Sequence, residues 1–454
     1  MDACPGGGVE TREEGTAAWL SRHPALLLQK LIQFDTTNPP GNERACISFL
    51  RDLLEEAGCR TTLLARDLER PNLLARCKGR GAAPPLLLQG HIDVVPAAGM
   101  NWRYPPFAGE ITDGMVWGRG AVDMKGGIAM MVGAFLRALY EQPELPGDVI
   151  LALVVDEEAG GRYGAQYLVE QHAEYFQGVH YALGETGGNP VYIAGQKFVP
   201  ISVLEKHACW VKAVITGPGG HSATPRHSGT TIEKLTQFLH RIEKKRLPIH
   251  ITPVPYRMLT TIARALPSEL NEVYERLLDP AQAGALLSKL GPAGADCEAL
   301  LSHTINVTGI HGGGSFNVLP SRIEVSLDGR ILPGYSAHEF LAELAELAGP
   351  EVQLEIVLYD EGQHEANFGL FSVLEAVLQR DDSSLIVLPA LQSVTTDARF
   401  FARLGIQTYG FLPTNLQPGI DLFKGVHGEN ECLPVSAVEY GTRVIYEVLQ
   451  RNRE

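Results

Sequence analysis

An α/β fold is what this sequence predicts: a largely parallel sheet that carries an inserted β-α-β-β-α-β lid. Two observations predict it. Short, almost wholly apolar runs that stop abruptly at polar residues alternate with stretches of helical periodicity, as in sheets buried on both faces. Near Val199 that rhythm gives way to long runs of two-residue period around two helices, the pattern of a small split α+β layer.

Taken in order, residues 26–58 place apolar side chains at helical spacing around a polar turn, TTNPPGNE, and the short strands TTLLAR and PNLLARC follow. PPLLLQGHIDVV, DVILALVVDEEAG and YALGE read as buried strands, with GGIAMMVGAFLRALYE and GAQYLVEQHAEYF as helices between them. Ligands of such sheets sit beyond the carboxyl ends of the strands. The second pattern begins with ISVLEKHACWVKAVITG as one long strand and TTIEKLTQFLHRIEKK as a helix. HTINVTGIHGG and SRIEVSLDGRIL follow as strands, SAHEFLAELAELAG as a helix and EVQLEIVLYD as a strand. A mostly helical insertion, about 247–302, separates the first helix from the second strand. HGGGSFN lies between two lid strands, so it reads as a hairpin connection and not as a phosphate or oxyanion loop. After residue 363 the α/β rhythm returns in FSVLEAVLQ, TDARFFARLGIQTYGF and the last helix, SAVEYGTRVIYEVLQR. The expected domains are a catalytic one in two parts, 1–199 and 363–454, and a lid of 200–362.

Composition narrows the function. The 454 residues are 45% apolar, enough for a large core. No apolar run approaches the roughly 20 residues that span a bilayer, and the acidic start lacks a secretory pattern, so a cytoplasmic protein is expected. A net charge of −15 without a basic cluster disfavours nucleic acid and anionic membranes as partners. Seven scattered cysteines argue against a disulfide framework or a Cys-rich zinc module and read as buried fillers.

The chemistry gathers at the strand ends. A strand alternates its faces, so His91 and Asp93 are expected to point the same way, as a metal-binding imidazole and the acid that orients it would. Alone, the pair reads more often as a hydrogen-bonded histidine or a solvated loop. Asp123 stands among glycines before a helix, Glu157 and Glu158 end a second oily strand, and Glu185 ends a third. Carboxylates collected in one cleft repel until cations neutralise them. His427, in GVHGENE, adds a second imidazole of the kind zinc prefers.

With GHIDVVP, GRGAVDMKGG, DEEAGG, GGHSATP, NVLP, TDARFF and HGENE in this order, the chain resembles the dinuclear zinc aminoacylase and carboxypeptidase family. That family includes acetylornithine deacetylase, succinyl-diaminopimelate desuccinylase, glutamate carboxypeptidase and carboxypeptidase S. The long insertion and TTDARFFARLGI resemble the branch of carboxypeptidase S and the N-acyl-amino-acid hydrolases. The resemblance spans roughly residues 26–449 and implies specific roles. Asp123 would bridge two zinc ions, His91 and Glu185 completing one site, Glu158 and His427 the other. Cobalt, manganese or nickel are alternative metals. Glu157 would be the base for a bridging hydroxide, set apart from Glu158 by strand alternation, with Asp93 as the orienting catalytic acid. His221, reaching the site of the partner subunit in a homodimer formed through the lid, would stabilise the oxyanion. Asn317, Arg330, Thr395 and Arg399 match substrate-contacting positions, although both arginines have nearby acids, Asp328 and Asp397, with which to pair. A cis peptide after Asp123 is also implied. The expected activity is hydrolysis of N-acyl amino acids or related small peptides, with a dipeptidase or carboxypeptidase as the alternative. A catalytically silent binding protein of the same fold would lack Glu157 or a ligand, and all are present.

Overall fold

A computed structural model describes residues 15–452 except 143, 227, 290, 291 and 423. The chain forms two compact units: Met1–Leu168, Phe176–Val179 and Pro413–Glu454 make the first, Val169–Tyr175 and His180–Leu412 the second.

In the first unit the strands Thr61–Leu64, Asn72–Cys77, Val149–Val154 and Leu86–His91 lie side by side in that order. Leu86–His91 runs parallel to Val149–Val154 and ends in register with it, His91 opposite Val154. Every residue of both strands is buried, which is why their sequences show no polar alternation. Helix Lys125–Glu141 packs against helix Val435–Arg451. Their close approach needs Gly441, where a β-carbon would fall 2.3 Å from the Met130 sulfur. A smaller antiparallel sheet joins Glu110–Thr112, Met115–Trp117 and Cys432–Pro434. It draws the loop before residue 432 to the turn after residue 117, with Gly118 N–H donating to Glu431 O at 2.9 Å. The peptide after Asp123 is cis.

In the second unit Tyr181–Gly184 pairs in parallel with Gln407–Gly410, and Gln196–Glu205 with Ile386–Gln392. Across both units the longest pairings of these sheet strands are parallel, in keeping with the α/β class. A second sheet of four antiparallel strands has the order Thr304–Gly312, Arg322–Ile331, His207–Thr216, Val352–Asp360. Helix Thr231–Lys244, capped by Thr230, and helix Ala337–Ala348, opened by a Ser336–Glu339 capping box, belong to it. Val211, Ala213, Phe238, Val325, Phe340 and Leu344 form their common core.

Two features of this unit differ from the sequence reading or go beyond it. The helical insertion covers sheet strands: Leu259, Ile262 and Leu287 pack with Phe198, Leu388 and Ala390. The run 201–216 is not one strand, because Gln196–Glu205 and His207–Thr216 belong to different sheets and divide at Lys206. Lys206 is fully buried, so its ammonium must find acceptors. It donates to Ala299 O at 3.0 Å, Ser302 O at 2.8 Å and Thr304 Oγ1 at 3.0 Å, tying the insertion's end to the break. Burial, with Arg330 nearby, pushes its pKa down to about 7.

Among the described residues no helix is long and apolar enough to cross a membrane. Cys46, Cys59, Cys77 and Cys209 are buried, Cys297 and Cys432 are half-buried, and none of the six is in a disulfide; Cys4 lies outside the described residues.

Candidate metal centre

The first unit gathers His91, Asp93, Asp123, Glu157, Glu158 and His427. Because Leu86–His91 and Val149–Val154 are parallel and in register, His91 and the turn after residue 154 emerge at the same end. His91 is the last paired residue of its strand, so Asp93 lies beyond the ladder. Its carboxylate is 3.7 Å from the ring of His91. The ring's Nδ1 is instead 2.9 Å from the Asp93 backbone carbonyl. The expected steadying acid therefore acts on His91 through its main chain. A carbonyl can only accept, so Nδ1 carries a proton and Nε2 is the ring atom left to ligate. That Nε2 lies 3.1 Å from Asp123 Oδ1.

The Asp93 carboxylate has another task. Its Oδ1 accepts the Glu157 N–H at 3.2 Å and its Oδ2 the Glu158 N–H at 3.1 Å. Burial pushes Asp93 up to about 6, opposed by His91 and Asn38. The two glutamates sit on a single 3-10 turn, Glu157–Ala159, after the strand has ended at Val154. Turn geometry, not strand alternation, therefore sets their directions.

Asp123 divides its oxygens between two imidazoles. Oδ1 faces His91, and Oδ2 lies 3.2 Å from His427 Nε2, which is also 3.2 Å from Glu158 Oε2. Burial would raise Asp123, yet its hydrogen bonds from His427 and His91 hold it well below the usual carboxylate range. The same contacts to Asp123 and Glu158 push His427 up to about 10. An imidazolium proton thus balances the two carboxylates. Asp123, Glu158 and His427 each offer a ligand atom, all within 4.8 Å of one another. Glu158 Oε1 is buried without a hydrogen-bond partner, an orphaned acceptor that a cation would satisfy. Oxygen and imidazole donors in this number suit zinc and its neighbours.

Sequence reasoning missed Glu431, the second acid of HGENE. It is 1% exposed and holds the Asp123 loop: Oε1 accepts the Val122 and Asp123 N–H groups at 2.7 and 3.0 Å, and Oε2 accepts Gly120 N–H at 2.9 Å and Arg119 Nη1 at 2.8 Å. A charged residue four positions after His427 was the only signal.

The second unit holds the other candidates. Glu185 directly follows the strand Tyr181–Gly184. His221 and Asn317 meet on a short exposed ribbon, where Ser222 N–H donates to Asn317 O at 3.1 Å. Arg330 donates to both Asp328 oxygens, at 2.9 and 3.2 Å, and to Thr395 Oγ1 at 2.8 Å. Arg399 is 6% exposed and donates to Asp360 at 2.7 Å and Thr396 O at 2.6 Å. Arg330 thus pairs with its near neighbour Asp328, whereas the acid that meets Arg399 is Asp360, 39 residues away. His250, His303 and Glu343 form a further metal-like cluster, which we reject on tautomer grounds. Leu332 N–H donates to His303 Nδ1 at 3.0 Å, so the neutral ring's proton occupies Nε2, the atom that would have to bind.

Residues 87–451 match a family model described as peptidase family M20/M25/M40. The human N-fatty-acyl-amino acid synthase/hydrolase is 28% identical over 81% of this chain and 74% of its own. Pig aminoacylase-1 is 24% identical over 94% and 95%. Among solved structures, a metallo-carboxypeptidase from Sulfolobus solfataricus superposes with a TM-score of 0.66 at 18% identity, covering 94% of this chain and 98% of its own. A dinuclear metal-binding peptidase from Bacillus subtilis gives 0.59 at 15% identity over 95% and 98%.

Proposed function

The chain belongs to peptidase family M20/M25/M40, a family of metal-dependent hydrolases of linear amides, and on that footing we propose that it cleaves N-acyl amino acids with two zinc ions. The observation that carries the reading is the divided carboxylate of Asp123, one oxygen on His91 and the other on His427 and the Glu158 side. A carboxylate shared in this way is suited to bridge two cations. His91 would hold one and Glu158 with His427 the other; Glu185 is assigned to the first by family likeness. Bound there, such ions would polarise an amide carbonyl and lower the pKa of water toward about 7.

The chain's own residues supply the rest. Glu157 sits beside a ligand on a turn whose N–H groups are pinned by Asp93. It takes a proton from water and returns it to the leaving nitrogen. His91 is held in the ligating tautomer by the Asp93 carbonyl. We assign the grip on the substrate carboxylate to Arg330, whose side chain is 27% exposed, and give Arg399, tied to Asp360 and Thr396, an anchoring role. Relatives named for N-acyl amino acid chemistry over most of this chain support the substrate class. We further propose that two copies pair through the lid and exchange His221. Its ribbon exposes Phe316 and Val318, and Ile310 lies exposed on the preceding strand, apolar surface that pairing would cover.

The test is a substrate panel of N-acetyl and N-long-chain-acyl amino acids and dipeptides, run on the wild type and Glu157→Gln. The wild type turns over the acyl amino acids in preference to dipeptides. Glu157→Gln keeps its metal content and loses at least about a hundredfold in kcat. Preference for dipeptides refutes the substrate, and retained turnover refutes the base.

A further inference from the structure

We propose that Arg70 is a positioning residue for the Glu157–Glu158 turn, acting through Asp156 and, beyond it, through Asn38 and Asp93. The inference rests on the catalytic reading above. Arg70 belongs to no catalytic motif, yet its side chain is only 8% exposed, and those of its partners Glu43 and Asp156 are 0% and 4% exposed. Its Nε lies 3.2 and 3.1 Å from the two Glu43 oxygens and its Nη2 2.5 Å from one of them, while Nη1 donates to Asp156 Oδ1 at 2.9 Å. That same Asp156 oxygen accepts from Asn38 Nδ2 at 3.2 Å, and the Asn38 amide also donates to Asp93 Oδ2 at 2.8 Å. Asp93 in turn holds the N–H groups of Glu157 and Glu158. A continuous chain of hydrogen bonds therefore runs from Glu43 to the backbone of the assigned base and its neighbouring ligand.

The residue types are those the task demands. A planar guanidinium offers five donors in a fixed fork and so holds two carboxylates at set directions, where a lysine would offer a single nitrogen. The backbone is shaped around that fork: a β-carbon at Gly41, where φ is +90°, would lie 2.3 to 2.6 Å from Arg70 Nε, Cζ and Nη2. Asp156 itself adopts φ +72°, a conformation uncommon outside glycine. Arg70, Asn38 and the Tyr163 N–H, at 3.1 Å from Oδ2, hold it there. The turn that begins at Asp156 thus has both its first side chain and its next two N–H groups fixed by one network. Outer partners of this kind matter to a metal site because they set where the ligands point before the ion arrives.

The test compares the wild type with Arg70→Gln, and with Arg70→Ala in the presence and absence of millimolar guanidinium. Hydrogen exchange is followed over 155–161, zinc affinity by calorimetry on the metal-free protein, and kcat and KM separately. In Arg70→Gln we expect exchange over 155–161 at least about tenfold faster, with 86–91 unchanged. Zinc should bind about 10–100-fold more weakly at one of two sites, and kcat should fall while KM moves less than about twofold. Guanidinium restores part of the zinc affinity to Arg70→Ala. Unchanged exchange over 155–161 overturns the proposal, and so does faster exchange spread through the whole first unit, which would make Arg70 a general anchor. If Arg70→Gln does not fold, Asn38→Ala, which removes the amide that joins Asp156 to Asp93 and leaves the Arg70–Asp156 pair in place, is read by the same criteria. A wild type that binds no zinc and cleaves no amide refutes the catalytic reading instead, and the exchange result still decides the role of Arg70.

Discussion

Replacing Glu431 by glutamine changes one atom in the first unit and should cost about 4 kcal/mol. The carboxylate accepts four hydrogen bonds, two on each oxygen, from Val122, Asp123, Gly120 and Arg119. Whichever oxygen becomes an amide nitrogen, a donor then faces two donors. Each orphaned buried donor costs about 1–3 kcal/mol. Removing the counter-charge of a buried arginine costs about 3–5 kcal/mol, and Arg119 is 1% exposed. These two estimates describe overlapping losses, so about 4 kcal/mol is the figure for both together. At roughly 2–4 °C per kcal/mol for a unit of this size, the first unit should melt about 8–16 °C lower. Urea unfolding followed beside a melt measures it, with the exposed Glu429→Gln as a control expected within about 0.5 kcal/mol. A loss below about 1 kcal/mol would show that the loop is held by something else, and the role given to Glu431 in placing Asp123 would go with it.

Four further outcomes bear on the reading. His427→Ala should halve zinc stoichiometry on elemental analysis, because His91 and Asp123 Oδ1 lie on the other side of the shared carboxylate; full occupancy contradicts the assignment. In the wild type, His427 without metal is pushed up to about 10, so zinc uptake near pH 7 displaces its proton. Calorimetry in buffers of different ionisation enthalpy should detect about one proton released for that site, and none released would count against the imidazolium. Burial, with His250 and Lys206 nearby, pushes His303 down from 6.5 to about 3. The fold favours its neutral form, so stability is lost as pH falls below 6.5, by about 2 kcal/mol at pH 5; His303→Gln should lose that much less between pH 7.5 and 5, and an identical loss refutes the linkage. Light scattering that shows only monomer at micromolar concentration removes the exchange of His221.

Much of the site was legible because metal chemistry restricts residue types. His91, Asp123, Glu158 and His427 stand out as polar residues where apolar strands stop or glycines cluster, and the structure brings these four together in the first unit. The partners that hold them were not legible. Asn38, Arg70 and Glu431 look in the sequence like any loop asparagine, arginine or glutamate. Nothing local says that Arg70 meets Asp156, 86 residues away, or that Glu431 meets Gly120, 311 residues away. The break at Lys206 was hidden for a related reason, since a period of two residues continues unchanged when a chain passes from one sheet to another.

The sequence by itself determined the α/β class and the kinds of atom offered to a cation, because burial periodicity and ligand chemistry are written residue by residue. Only the tertiary structure decided which carboxylates face the imidazoles and which are spent on backbone N–H groups. Asp93 and Glu431 are acids like Asp123 and Glu158, yet their oxygens are taken up by backbone N–H groups. Those partners exist only once distant loops have been brought within about 3 Å, the range over which a hydrogen bond acts.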